Sequence, residues 1–591
     1  MAQVELSTKL PSDAGVEHSE YRPPPVGHHH PAAALNDIDE LPRSYYYSAR
    51  FIGTSFAIAF NLLASTGGFA MVAPILSAID ADIGPGPVIW LSLVYTMMLG
   101  VGLTLVGQLT DVFGRRYFFI GGSLLGAVGA AIASRGQTMS VVIGGETLVG
   151  LSAATGYSYA FVMGELVPMR YRFVANAVIF WGSMPSAGFG AAISTAFVLY
   201  TGQGWRWAYY FLIIANVTAA VLYTLFYFPP SFHQKHGSDS IMRWVKNYDY
   251  IGMFLYVSGL LLFILGLSWG GGIYPWRSAG VIAPVIIGFV LLVLLMVYEA
   301  HATITEPLVP IHLFKNRGFL ASAIVLSLGA SVYYSQAIVW PAMAANVYAN
   351  GRAMWAGWVG TLVGIAITVG EILGGTFTGR IGKFKYQLLT AITIGTACLG
   401  SMAVCTPDTP KTAMALVFVA TTAVGWCESI VLPACNINID DQTEIGTATG
   451  IAGSLRSAVS TVASTIYSAV LAQREAATLS TVVPAALTQA GLPASSVQDY
   501  MAAVAAGGGS SAALAGVPGV TADILAKGAR AYQDAYADAY RTVFFTSIAF
   551  GVLCLTAASF VPNFDARLTN KVATKLNMHN PEPDTIVEKT V

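Results

Sequence analysis

Charge is scarce in this chain: 10% of its 591 residues are Asp, Glu, Lys or Arg, whereas a soluble domain carries roughly a quarter. So few charges cannot clothe a water-facing surface, and 55% hydrophobic residues with a mean hydropathy of +0.62 call for a bilayer as solvent. Neither sign is in excess. The formal net charge is -1 and the pI about 6.8, which gives electrostatic binding of nucleic acid no compositional support. The five cysteines, Cys398, Cys405, Cys427, Cys435 and Cys554, fall mostly in or beside apolar stretches, with the spacing of neither a disulfide scaffold nor a zinc site. Residues 1–50 lack an apolar core led by bases, so no cleaved signal peptide is expected; they read as a polar cytosolic tail, and His28-His29-His30 as part of it rather than a metal site. No glycine-rich stretch runs on into Gly-Lys-Ser/Thr, which removes an ATP motor, and no nucleophile, base or ligand cluster points to catalysis. No enzyme, metal or cofactor is expected.

What is abundant is apolar sequence in blocks of about twenty residues, the length that spans hydrocarbon as a helix. Fourteen helices are expected, near 51–73, 87–109, 117–134, 139–162, 173–199, 205–228, 249–268, 279–299, 318–342, 353–376, 387–404, 411–436, 446–470 and 542–561. Alternate connections hold Arg115 and Arg116, Arg170 and Arg172, Lys235, Arg243 and Lys246, Lys315 and Arg317, then Arg380, Lys383 and Lys385. The opposite connections and their edges hold only Arg135, Arg206, Arg277, Arg352 and Lys411. The positive-inside rule therefore puts both termini in the cytosol, in agreement with an even number of spans. The acidic connection 437–445 adds little to that bias. The segment 471–541 is expected outside, with helix-forming composition at 472–490 and 521–540 separated by Gly and Pro; a lid and a loose connector are both open.

The stretch Gly107-Gln108-Leu109-Thr110-Asp111-Val112-Phe113-Gly114-Arg115-Arg116 has an echo 268 residues on, in Gly375-Thr376-Phe377-Thr378-Gly379-Arg380-Ile381-Gly382-Lys383. Each copy follows the second helix of a six-helix unit if the spans are grouped six, two and six. The expected fold is all-α and polytopic: a tail at 1–50, a six-helix bundle at 51–229, an inserted pair at 249–299, a second six-helix bundle at 318–561 and a tail at 562–591. Two such bundles can rock about a central site, which suits a transporter. Gly107, Asp111, Gly114, Arg115 and Arg116 are the expected latch, with Arg380 and Lys383 as its second copy; the acid is replaced there by Gly379, so the two halves should not latch alike.

Ionisable groups inside spans are costly and mark function. Glu146, Glu371, Glu428 and Arg456 are the candidates for proton coupling, Glu146 foremost; a structural hydrogen bond or pairing with Arg456 is its alternative. Asn61, Tyr157, Tyr159, Asn176, Trp181, Tyr333, Tyr334, Gln336 and Trp426 are the candidate cavity lining, a mixture suited to a large, partly apolar solute. Trp205, Trp207, Trp276 and Trp355 lie near span ends and read as interface anchors.

GQLTDVFGRR at 107–116 and GTFTGRIGK at 375–383 resemble the repeated loop motif of the major facilitator superfamily. The fourteen-helix layout is similar to drug:proton antiporters, and ELVPMRYRFVANAVIF at 165–180 resembles the fungal trichothecene efflux pump and siderophore–iron transporter group. The resemblance spans about 51–561 and implies alternating access driven by a proton gradient. It further implies that Asp111, Arg115 and Arg116 stabilise one gate state. Export of drugs, toxins or metabolites is the leading reading, uptake of ferric siderophores the alternative, and a non-transporting solute sensor the alternative of another class. A monomer is expected, in the plasma membrane or else the vacuolar membrane. Two features depart from the antiporter pattern. Glu146 stands where many antiporters carry arginine, four residues before the glycine matching Gly150, and Gly182-Ser183-Met184-Pro185 lacks the Gly-Pro order.

Overall fold

The computed structural model describes residues 36–37, 43–84, 86–230, 232, 240–270, 274–302, 307–439, 441–507, 514, 516–569, 571–572 and 576. The histidine run at 28–30, Lys235, Asp440, and most of the tails expected at 1–50 and 562–591 lie outside them.

A chain in hydrocarbon must satisfy its backbone internally, and here it does so as helices. Among the described residues, thirteen segments are long and apolar enough to cross a membrane. In chain order they are α1 Ala49–Ile83, α2 Trp90–Phe113, α3 Arg116–Ser134, α4 Met139–Leu166, α5 Met169–Tyr200, α6 Arg206–Phe226, α7 Tyr250–Trp269, α8 Ala279–His301, α9 Arg317–Tyr348, α10 Ala353–Ile381, α11 Phe384–Val404, α12 Pro410–Ile437 and, last in the chain, α14 Ala522–Ser559. The remaining expected span, 446–470, lies in α13, Ile445–Gln489. This helix is too rich in Ser, Thr and Gly to meet the same apolar standard, because it is clasped by protein rather than lipid. The Ser454 hydroxyl accepts from the Thr104 amide (2.9 Å) and hydroxyl (2.6 Å), and the Thr461 hydroxyl donates to Thr96 (2.9 Å). The chain is a multi-pass, all-α membrane protein; among the described residues, one two-residue antiparallel pair, Asn36–Asp37 with Lys571–Val572, stands beside the helices.

Several helices are interrupted where the sequence requires it. Proline removes a donor and crowds the preceding turn. Pro185 precedes a break at Gly188 in α5, and Pro341 is followed by a π-helical turn at Ala344–Tyr348 in α9. Gly114, at φ +90°, ends α2 in a conformation closed to most side chains.

The contacts fall into sets. Helices α1 and α3 to α6 pack on one another, with α2 against α4; α9 to α14 pack likewise. Two seams join these sets, α2 along α13 and α5 along α10. Helices α7 and α8 pack chiefly on each other, and only 17% of the apolar window of α8 is buried, so lipid covers the remainder. At the seams small residues bring backbones together. A Cβ at Gly107 would overlap the Gly446 carbonyl oxygen and lie 3.2 Å from Gly450 Cα; one at Gly364 would overlap the Ala187 carbonyl.

Segment 471–541 is a folded unit. Helices α13 and α14 run well past the expected span ends and, with the short helix Ala494–Gly507, enclose a separate core that includes Val483, Leu487, Leu492, Tyr500, Ile524 and Ala531. Arg530 clasps Asp408 at 2.6 and 2.5 Å, and its guanidinium holds that carboxyl below the usual range. The Gln533 amide donates to Asn350 (2.5 Å), and Arg474 pairs with Asp538 (3.2 Å). The Asp408 and Asn350 ties fix the unit to the α11–α12 and α9–α10 loops, and the Arg474–Asp538 pair joins α13 to α14 within it.

The opposite face, which carries Arg115 and Arg116, is the basic face. Both described ends of the chain lie on it: Leu576 N donates to the Tyr45 hydroxyl (3.2 Å), and Arg170 N to Thr569 O (3.3 Å).

The Gly107 contact is testable. Gly107→Val should cost about 1–3 kcal/mol, read as a lower midpoint in thermal unfolding of the purified protein. Gly121→Ala, on α3 with nothing within 4 Å of an added Cβ, should leave that midpoint unchanged or raise it.

Candidate functional site

The latch residues converge at the cytosol-predicted end of α2. The Asp111 carboxylate accepts from Arg115 (2.8 Å), four residues on, and from both the backbone N (2.7 Å) and the hydroxyl (3.0 Å) of Thr447. Thr447 lies in the first turn of α13, where free N–H groups and the helix dipole favour a carboxylate. Gly107 and Gly114 serve the same corner, one by close approach and the other by ending the helix.

The two arginines do different work. Arg115 is fully buried, also paired with Glu165 at the end of α4, and lies 4.3 Å from the Phe161 ring centroid. Arg116 donates to Thr224 O (2.8 Å) and stacks over Phe228 (3.9 Å), tying α3 to α6. The second copy is built otherwise: Arg380 is exposed in the last turn of α10, and Lys383 sits at φ +52° as the residue before α11.

A second contact crosses the same face and uses residues outside the expected latch, coupling and cavity sets. Buried Arg172 donates to Gln442 Oε1 (3.0 Å) and Asn436 O (3.4 Å). Asn436 in turn donates to Ala160 O (3.3 Å) and accepts from the Thr449 hydroxyl. Glu165 and Arg172 bracket ELVPMRYR, so their charge in an otherwise apolar neighbourhood was the available signal.

Deeper in the bundle, Glu428 of α12 receives two hydrogen bonds from Arg456 of α13, at 2.9 and 3.1 Å, both residues being buried. The Tyr157 and Tyr334 rings lie 5.6 and 5.5 Å from the guanidinium, and their hydroxyls are 3.5 Å apart. Tyr333 stands beside Tyr334 (5.2 Å between centroids). Glu371 of α10 joins Glu428, Asn176, Phe173 and Phe180 around a narrow enclosed cavity, and Tyr159 packs on Phe180 (5.2 Å). This constellation draws on α4, α5, α9, α10, α12 and α13, from both sets of helices.

Other candidates are elsewhere. Glu146 is buried beside the Tyr209 hydroxyl of α6 without a well-formed hydrogen bond, and Arg456 has Glu428 as its acid instead. Asn61 is enclosed within α1, α4 and α6, donating to Thr155 (3.2 Å) and Tyr223 (3.3 Å). Trp181 is 64% exposed on the outer surface, where it lines an open apolar groove with Trp358, Met354 and Phe189 rather than the central site. Trp426 donates to Gln387 (3.2 Å), whose amide holds Gly382 O (2.6 Å) in the second loop copy. Gln336 is buried on α9, its amide without a partner among the described residues. Trp205 is buried and donates to Asp82 (3.0 Å), unlike the interface anchor expected there. Among the described residues no group of three or more His, Cys, Asp or Glu could hold a metal ion.

Known proteins resemble this arrangement at two levels. The trichothecene efflux pump TRI12 of Trichoderma arundinaceum is 29% identical over 560 residues, 91% of each chain, and the pump of the same name from Fusarium sporotrichioides is 28% identical over 551 residues, covering 92% of this chain and 91% of its own. The structure of the proton:xylose symporter XylE, a major facilitator superfamily protein, covers 90% of this chain and 98% of its own with a TM-score of 0.52 at 13% identity, a likeness of fold. A family profile described as fungal trichothecene efflux pump (TRI12) matches residues 25–588. The chain therefore belongs to the fungal trichothecene efflux pump (TRI12) family, a branch of the major facilitator superfamily whose members are carriers rather than enzymes.

Proposed function

We propose that this carrier exports partly apolar organic molecules, toxins or secondary metabolites among them, in exchange for protons. Secondary active transport of small molecules follows from the family; cargo, direction and coupling ion are our reading. The observation that carries the reading is the buried Glu428–Arg456 pair with Glu371 at its side. Two acids stand at one guanidinium, which is bonded to Glu428 alone, so the site is neutral with one proton bound and charged by one unit without it. A bare charge in this setting costs several kcal/mol, so proton loading and release would alter which packing of the two helix sets is favoured. We place coupling here rather than at Glu146, whose neighbour Tyr209 is of its own set, because Tyr157 and Asn176 of the first set also line this centre on the second.

Helices α1–α6 and α9–α14 are taken as the rocking bundles, with α7 and α8 as the inserted pair. Asp111 with Thr447, and Arg172 with Asn436 and Gln442, would hold the basic face shut while the other face opens. The basic connections support a cytosolic position for that face and both termini, in a plasma or vacuolar membrane. Tyr157, Tyr159, Tyr333, Tyr334 and Asn176 would supply ring faces and a few hydrogen bonds to the solute. The efflux names of the relatives favour export. One observation favours uptake of a ferric siderophore instead: the folded unit at 471–541 stands on the outer side in this orientation, where it could cover a captured complex.

Two measurements test these statements. In proteoliposomes, Glu371→Gln and Glu428→Gln should lose transport driven by a pH gradient, by tenfold or more, while Glu371→Gln keeps solute counterflow and Glu146→Gln keeps gradient dependence. Full gradient dependence in both Glu371→Gln and Glu428→Gln would remove this site from coupling. In a transporter-deleted fungus, export predicts growth on a xenobiotic panel that includes trichothecenes; saturable uptake of a radiolabelled ferric siderophore without any such phenotype would reverse the direction.

A further inference from the structure

After α14 the described residues stay against the protein. They cross the basic face from one helix set to the other, over the gate contacts described above. Phe564 is buried, its ring stacked on Phe384 at 4.5 Å between centroids and 8° between planes. Phe384 opens α11, and it stacks in turn on Phe173 of α5 (5.3 Å, 13°). One column thus contains a ring from each helix set and one from the tail.

The next residue bears on the asymmetry between the loop copies. Asp565 Oδ2 accepts from the backbone N of Lys383 (3.2 Å), the residue that caps α11 in the second copy. In the first copy the acid is Asp111 itself, whereas the second has Gly379 at that position. Beyond it, Arg567 donates to Asn438 O (3.1 Å) at the end of α12. Thr569 O then accepts from Arg170 N (3.3 Å), at the start of α5, and Leu576 is buried with its amide on the Tyr45 hydroxyl (3.2 Å). The anchors at Lys383 and Asn438 belong to the second helix set, those at Arg170 and Tyr45 to the first set and the segment leading into it. Separating the sets at this face strains or releases the segment between them.

We propose that residues 561–569, with Leu576 anchored beyond them, form an intramolecular strap that holds the basic face closed, with Asp565 supplying to the second loop copy the acid that its own sequence lacks. The inference rests on the alternating-access reading and requires neither a particular cargo nor a particular coupling ion. Release of the strap is then a step of the transport cycle, and any factor that binds the tail away from Phe384 and Lys383 would speed opening of this face.

The test uses full-length protein in lipid nanodiscs. Nitroxides are placed at Tyr117→Cys on α3 and Tyr386→Cys on α11, both exposed at the basic end of the bundle, with Cys398→Ser to remove the half-buried native thiol. Electron–electron dipolar spectroscopy then reads the distance across the face. Phe564→Ala and Asp565→Asn should each raise the ratio of long to short distances about threefold, and Phe564→Tyr, which keeps the ring, should match the parent. Asp565 is exposed, so its variant reports on the strap without a buried cavity. Asp111→Asn serves as comparator. If it opens the face while neither tail variant does, the strap is wrong and alternating access stands. If no variant changes the distances, the strap falls together with the latch.

Discussion

A single carboxylate, that of Asp111, holds together groups that would otherwise be separately costly. It offsets part of the Arg115 charge and satisfies the Thr447 amide in the first turn of α13. It can reach both because Gly107, Gly446 and Gly450 let α2 and α13 meet backbone to backbone. A hydrogen bond to a charged group contributes about 1.5–3 kcal/mol, and a carboxylate at a helix start about 0.3–2 kcal/mol. Energies of this size can bias a two-state equilibrium by tenfold to a hundredfold without locking it. That range suits a gate, which must close firmly and still open.

The two loop copies show how far a repeat can diverge while its geometry is kept. In the first, acid and bases come from the loop itself. In the second, the turn is held from two sides: Gln387, itself bound by Trp426, binds the Gly382 carbonyl, and Asp565 receives the Lys383 amide. Arg380 remains exposed. The second copy therefore looks outward to its neighbours for what the first contains, and the halves are not interchangeable.

Much of the membrane architecture is legible in the sequence because bilayer thickness imposes a length that composition can reveal. The spans at 87–109 and 117–134 match α2 and α3 closely. Agreement is poorer where protein rather than lipid covers a helix. Segment 446–470 is readable as a span and 472–490 as helix-forming, but nothing in the sequence announces that the two run on as one helix to Gln489, where its next neighbours are the cap residues rather than hydrocarbon. The direction of a side chain is less legible still. Trp181 and Trp426 look alike as isolated tryptophans in apolar runs, yet one is exposed and the other is hydrogen-bonded to Gln387. With lipid outside and apolar protein inside, a membrane helix lacks the polar–apolar contrast that reveals the buried face of a soluble one. Pairing is legible only by elimination. Arg456 requires an acid, but Glu146, Glu371 and Glu428 all qualify until the helices are placed.

The distribution of contact types across the seams has its own consequence. Along α2 and α13 the rungs are neutral hydroxyl pairs, Thr104 with Ser454 and Thr96 with Thr461. Such bonds inside membranes average about 0.6 kcal/mol, because each hydroxyl finds a backbone carbonyl when its partner leaves; Thr461 already donates to Ser457 O at 2.8 Å as well. Charged side chains cross between the sets at the basic end, where Asp111 meets Thr447 and Arg172 meets Gln442 and Asn436, while the Glu428–Arg456 pair stands at the centre within the second set. A seam of low cost per rung with strong contacts at one end favours parting as a hinge over uniform separation. On the proposed reading, the charge state of the central pair then has to act on only the few contacts at that end, and the scarcity of charge in the chain becomes part of how the gate is controlled.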